Sequence, residues 1–151
     1  MTDTKADVQV PVAVARFLEG LQTGDWTGME QHFTPDAIYD GSMPSWRVQY
    51  EGPARITQEL REEWTGRHPW RVAEHRVTLA ADTVVLELEA HGRCSGDADH
   101  AAHEEAVRIA NIFRLADGRI AEHRFYCCGE WDEETIRRIE REAPKVARGD
   151  E

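Results

Sequence analysis

VRIANIFRLADGRIAEHRFYCC, Val107 to Cys128, holds two runs of alternating residues joined by Asp117-Gly118. Side chains along a strand point to opposite faces in turn. Val107, Ile109, Asn111, Phe113 and Leu115 therefore share one face of the first run. An Asp-Gly pair between two such runs suits a two-residue turn in which both central residues take positive φ, a strong local hairpin signal. The second run, Ile120 to Cys128, divides into Ala121, His123, Phe125 and Cys127 on one side and Glu122, Arg124, Tyr126 and Cys128 on the other. Alternation separates the two sets without saying which one faces inward.

Back toward the N-terminus the period of two persists. Val84, Leu86, Leu88 and Ala90 share a face, with Glu87 and Glu89 opposite, and Ala73, His75, Val77 and Leu79 share another. "AAD" (80–82) turns the chain between these runs, and "SGDADHAAHEE" (95–105) reads as a polar loop. Upstream of Pro69 the period becomes helical. Val10, Val14, Phe17, Leu18 and Leu21 fall on one helical face with Pro11 in the first turn, and "TGD" (23–25) ends it. Asp25 is expected to cap a short second helix with Trp26, Met29 and Phe33 inward. "FTPDAIYDGSMPSW" (33–46) reads as a turn, a short strand Ala37 to Asp40, and a loop. A third helix opens at "GPAR" (52–55), carries Ile56, Leu60 and Trp64 at i, i+4 and i+8, and stops near Gly66 and Pro69. After the final strand, Asp132 is expected to cap a last helix with Ile136 and Ile139 inward.

Helices followed by a meander of long strands define an α+β domain with the helices on one face of a curved antiparallel sheet. The expected shape is a cone-like half-barrel, its pocket closed by the N-terminal helices. The domain is expected over 10–142, with a flexible N-terminus at 1–9 and a tail at 143–151. At 151 residues the chain is long enough for one self-sufficient core.

The balance of 18 Lys+Arg against 29 Asp+Glu, a net charge of -11, argues against nucleic acid, which needs a basic footprint, and against an anionic membrane surface. No apolar run is long enough to span a bilayer, and Met1 to Val10 lacks a signal-peptide pattern, so a cytoplasmic location is expected. Cys94, Cys127 and Cys128 are then not a disulfide framework.

Element order, together with "FTPDAIYD", "GPARI" and "ADGRIAEHRFY", resembles the nuclear transport factor two-like superfamily, in particular its SnoaL-like and ketosteroid-isomerase-like branch. The resemblance covers residues 10–142 and implies a cone-shaped pocket and a homodimer built through the sheet's outer face. In isomerase-like members a catalytic carboxylate ends the first short strand, which implies that role for Asp40. Cyclase-like members carry a base near the position of Cys128, where a thiol cannot replace it. The oxyanion-donor tyrosine of steroid isomerases has no counterpart, because the first helix contains no Tyr. Fold alone does not choose a reaction.

Acid–base chemistry in an apolar cavity needs a carboxylate or imidazole shifted toward neutrality. Asp40, after Ala37, Ile38 and Tyr39, is the expected base or acid, its other reading being a cap for the turn at Gly41 and Ser42. His123 is the second catalytic candidate, with Arg124 and Tyr126 in its place if the other face is concave. His75, Asn111 and His123 interrupt apolar faces and are read as polar groups of a lined pocket. Tyr39, Trp46, Trp64, Phe113 and Cys128 complete the expected wall. Adjacent cysteines cannot enter one cavity from a strand, and Cys127–Cys128 lack redox spacing. His100, His103 and Glu104 fall in a polar loop with no further ligand of fixed spacing, so no metal is expected. The expected function is a cofactor-independent enzyme acting on an apolar or ring-containing small molecule, as isomerase, cyclase, dehydratase or epoxide hydrolase. The alternative is a non-catalytic ligand-binding or dimerisation module of the same fold.

Overall fold

The computed structural model describes residues 9–43, 46–62, 71–94 and 103–132. Helix α1 (Val12–Thr23) starts at Pro11, whose carbonyl accepts from the N–H groups of Val14 and Ala15. It stops at Gly24, where φ is 73° and the N–H donates to Gly20 O at 2.8 Å. A glycine relieves the left-handed cap of its Cβ penalty. Val14, Phe17 and Leu21 are buried, as the helical spacing requires, and a side chain of this size contributes about 1.5–3 kcal/mol on full burial.

Asp25 does not cap an α-helix. Its Oδ1 accepts the Thr27 N–H at 2.9 Å, and a single 3₁₀ turn, Met29–His32, follows Gly28 at φ 75°. Trp26, Met29 and Phe33 are nonetheless buried as expected. The short strand expected at Ala37–Asp40 is the middle of a longer one, β1 (Phe33–Met43). It pairs with β2 (Trp46–Glu51), a strand unexpected from the sequence. The alternation of Trp46, Val48 and Tyr50 was the signal for it, masked by the preceding Gly-Ser-Met-Pro-Ser. Helix α2 (Pro53–Arg61) opens at Pro53 and buries Ile56, Thr57 and Leu60. Trp64 lies outside the described residues.

Four long strands follow: β3 (Arg71–Ala80), β4 (Thr83–Cys94), β5 (His103–Ala116) and β6 (Arg119–Asp132). The β5–β6 turn has φ 49° at Asp117 and 75° at Gly118, the two positive values the dipeptide implied. Strand order is β2-β1-β6-β5-β4-β3, one curved and unclosed sheet. It is mixed rather than antiparallel, because β1 runs parallel to β6. Strand β6 also continues past Cys128, pairing Trp131 with Ala106 and Asp132 with Glu105. Asp132 therefore belongs to a strand, and the expected last helix lies outside the described residues.

Parallel pairing of β1 with β6 sets one row of directly opposed residues across all the strands. Leu79, Val84, Phe113, His123, Tyr39 and Tyr50 stand side by side from β3 to β2. This row lies on the inner face, and its middle lies under α1, whose Phe17 ring is 5.0 Å from that of Phe113 and 4.9 Å from that of His123.

Candidate functional site

The residues with chemistry divide between two faces. On the inner face His123 is 1% exposed and Asn111 is fully buried. The imidazole stacks on Phe113 at 4.5 Å between centroids and meets Tyr39 edge-on at 5.0 Å. Tyr39 stacks in turn against Tyr50, over which the Arg55 guanidinium sits 4.4 Å from the ring centre. Gly41, next along β1 on this face, leaves room for the Tyr39 ring, since a Cβ there would lie 3.0–3.1 Å from Cε1 and the hydroxyl.

His123 Nε2 lies 2.8 Å from Asn111 Oδ1, while Asn111 Nδ2 points at Leu86 O at 3.5 Å. Nδ1 of His123 is buried with no hydrogen-bond partner among the described residues. Desolvation pushes the imidazole pKa down from 6.5 to about 3, so the ring is neutral at physiological pH. His123, Asn111, Phe113 and Tyr39 are thus brought together as one cluster, and it is packed rather than open.

Asp40 is on the other face. Its neighbour across β6 is Arg124, one residue out of step with His123. Arg47 Nε donates to Asp40 Oδ1 at 2.7 Å and its Nη2 to Oδ2 at 2.5 Å, and Gln49 adds a bond of 3.2 Å. The Arg47 hydrogen bond, opposed by partial burial and helped by Gln49 and Arg124, holds the carboxyl below its ordinary value. A carboxylate lowered in this way is the reverse of the raised acid expected in an apolar cavity. The structure brings Asp40 together with Arg124, not with His123.

An open groove of about 680 Å³ crosses β3 to β6 on this outer face. Glu74, Arg76, Glu87, Glu89, Arg108 and Tyr126 wall it, and His75 and Cys127 also line it. Arg76 pairs with Glu87 at 2.8 Å and Arg108 with Glu89 at 3.1 Å, so its charges are largely matched. Neither Asp40 nor His123 lines it. His75 is exposed, and the side chains of Trp46 and Cys128 lie outside what the structure describes. Among the described residues no group of three His, Cys, Asp or Glu side chains could hold a metal ion. No described helix is long and apolar enough to cross a membrane.

A curved sheet with helices over one face and an aromatic-lined inner surface defines a fold class, and the comparisons name it. Residues 14–123 match the SnoaL-like domain, and the chain belongs to that family. No curated protein matches it. Among solved structures it is similar to an NTF2-like protein from Anabaena variabilis, at 22% identity over 78% of this chain and 84% of that one, with a TM-score of 0.60. A candidate polyketide cyclase from Xanthomonas campestris superposes with a TM-score of 0.63 at 19% identity, covering 76% of this chain and 86% of that one. An LEH-like epoxide hydrolase from M. tuberculosis gives 0.58 at 23% identity, covering 76% and 79%. Identities this low establish the NTF2-like fold and leave the chemistry to the site.

Proposed function

We propose that the protein binds a small, ring-containing molecule against the aromatic row of its inner face, the packed rings of Phe17, Phe113 and Tyr39 parting to admit it, with the His123 imidazole as the polar contact. The observation carrying this is the His123 Nδ1 atom, wholly buried and without a partner among the described residues. Such a group costs about 1–3 kcal/mol when nothing satisfies it, and a ligand is one way to satisfy it. The test is a screen of mono- and bicyclic compounds against wild type and His123→Gln, read by protein fluorescence and thermal shift. A compound that stabilises the wild type and loses most of its affinity in the variant supports the reading. Ligands indifferent to His123 sink it.

A second reading, acid–base catalysis without a cofactor, assigns proton transfer to His123 in place of Asp40. Desolvation alone depresses the imidazole, so ligand and water entering the cage would raise its pKa back toward 6.5. Turnover of ring-containing epoxides, ketones or hydroxyketones that disappears in His123→Gln and survives in Asp40→Asn would support it. Binding without turnover across those classes would favour the non-catalytic module.

The outer face suits a second copy of the chain. Tyr126 beside the groove is 45% exposed, as is Ile38 on the same face. Light scattering after gel filtration checks this, with a homodimer expected and a monomer overturning it.

A further inference from the structure

Strand β3 is an edge of the sheet: β4 pairs with one side of it, and no described strand lies against the other. Every residue of β3 is exposed except the half-buried Val72 and Val77. A free edge is a template for another strand, and proteins guard such edges with charge, above all Lys, or with Pro. Strand β3 has neither Lys nor Pro, and its charges are of mixed sign, with Glu74 and Arg76 flanking His75. Glu74 stands opposite Glu89, a like charge, and Glu89 is already held by His91 and Arg108. Arg76 gives both Nε and Nη2 to a single oxygen of Glu87, which leaves further N–H groups of the guanidinium to donate elsewhere. The opposite edge, β2, has six residues and commits Arg47 to Asp40.

We propose that β3 pairs antiparallel with β3 of a second copy, centred on His75, so that two sheets join edge to edge. That register sets His75 opposite its own counterpart and Glu74 of each chain opposite Arg76 of the other. Directly opposed side chains on antiparallel strands have Cβ atoms about 4.5–5.5 Å apart, close enough for these to meet as ion pairs. Charge order is what chooses the occupant: an inverted copy meets the opposite sign at both positions, whereas an unrelated edge leaves charges unmatched. The register shift between Val72 and Glu74 ends the regular stretch at Ala73, and the two-fold makes Val77 its other end. A two-fold pair closes on itself and uses up the edge. The contact goes beyond the outer-face pairing above, since it lies on the rim of the sheet and not on the face that carries Tyr126 and Ile38.

The test is oxidative cross-linking of full-length His75→Cys, read on a non-reducing gel beside wild type, which controls for the native cysteines. Opposed residues of an antiparallel pair have Cα atoms about 4.5–5.5 Å apart, within disulfide range, so a covalent dimer above the wild-type level is expected. Adding Glu74→Arg to His75→Cys turns both ion pairs into repulsions and should weaken the association about tenfold, and adding Arg76→Glu should do the same. Mixing these two variants restores opposite signs at both positions and should restore the cross-link. Glu74→Arg also removes the like-charge pair with Glu89, so its fold should be at least as stable in urea as wild type, which separates lost association from lost folding. Tyr126→Glu, aimed at the outer-face contact, should leave the cross-link in place. No cross-link at position 75 overturns the inference and leaves the outer-face pairing standing. A cross-link indifferent to Glu74→Arg, or one lost in Tyr126→Glu, overturns it as well.

Discussion

The imidazole of His123 and the amide of Asn111 form a buried pair, Nε2 to Oδ1 at 2.8 Å, linking β6 to β5 diagonally across the inner face. Each is the other's main polar partner in a layer otherwise built from Phe17, Phe113, Tyr39 and Leu86. A pair of this kind holds the two strands in one register at little cost while both members are present. Removing one strands the other.

Asn111→Leu leaves the Nε2–H without an acceptor, and His123→Phe leaves the Asn111 amide without its partner. Each single change should destabilise the fold by about 1–3 kcal/mol, and the double variant by clearly less than their sum. Urea unfolding of the four proteins provides the cycle. Additive losses would mean that the pair contributes no coupling.

Burial also makes His123 a source of acid sensitivity. Its folded pKa of about 3 lies below the ordinary 6.5, so the unfolded chain takes up a proton at this residue before the folded one does. The stability it contributes is complete above 6.5 and is lost as pH falls toward 3. The slope within that window reaches about 1.4 kcal/mol per pH unit. Denaturation curves between pH 7.5 and 5 should therefore be steeper in pH for wild type than for His123→Gln. Equal slopes would show that the ring takes up its proton at the same pH in the folded and unfolded states.

Asp40 behaves differently. Its lowered pKa means that its ion pair with Arg47 contributes above the ordinary value of 3.8 and is lost as pH falls below it. With the Arg47 side chain largely exposed, the pair is screened, and Asp40→Asn should move the melting temperature by no more than about 2 °C at neutral pH. Ligand binding on the inner face should be unchanged. A large loss of binding would place Asp40 in the site after all.

The contact of Gly20 with Trp26 is a packing test independent of the site. A Cβ on Gly20 would lie 2.5 Å from Cε3 and Cζ3 of Trp26, an indole itself 2% exposed. Gly20→Ala should cost about 1–3 kcal/mol through overpacking despite alanine's better helix propensity, measurable as a lower urea midpoint. Gly20→Ala combined with Trp26→Leu should recover part of it.

Much of this was written locally. Helical spacing in Val14, Phe17 and Leu21, period-two alternation from Val84 to Ala90 and Val107 to Phe113, and the Asp117-Gly118 turn depend only on neighbours in the chain, so sequence alone determined those elements and their apolar faces. It also marked His123 and Asn111 as polar residues on apolar faces. What alternation cannot state is which face turns inward, because the period is two either way. That was decided by β1 lying parallel to β6 with Tyr39 opposite His123, a pairing between segments more than eighty residues apart. The same register, set by the burial of Tyr39, Phe125 and His123 on the inner face, turned Asp40 outward to Arg47. Strand β2 likewise became visible only where β1 offered it a partner. Local propensity chose the elements, and long-range packing chose which of their side chains meet.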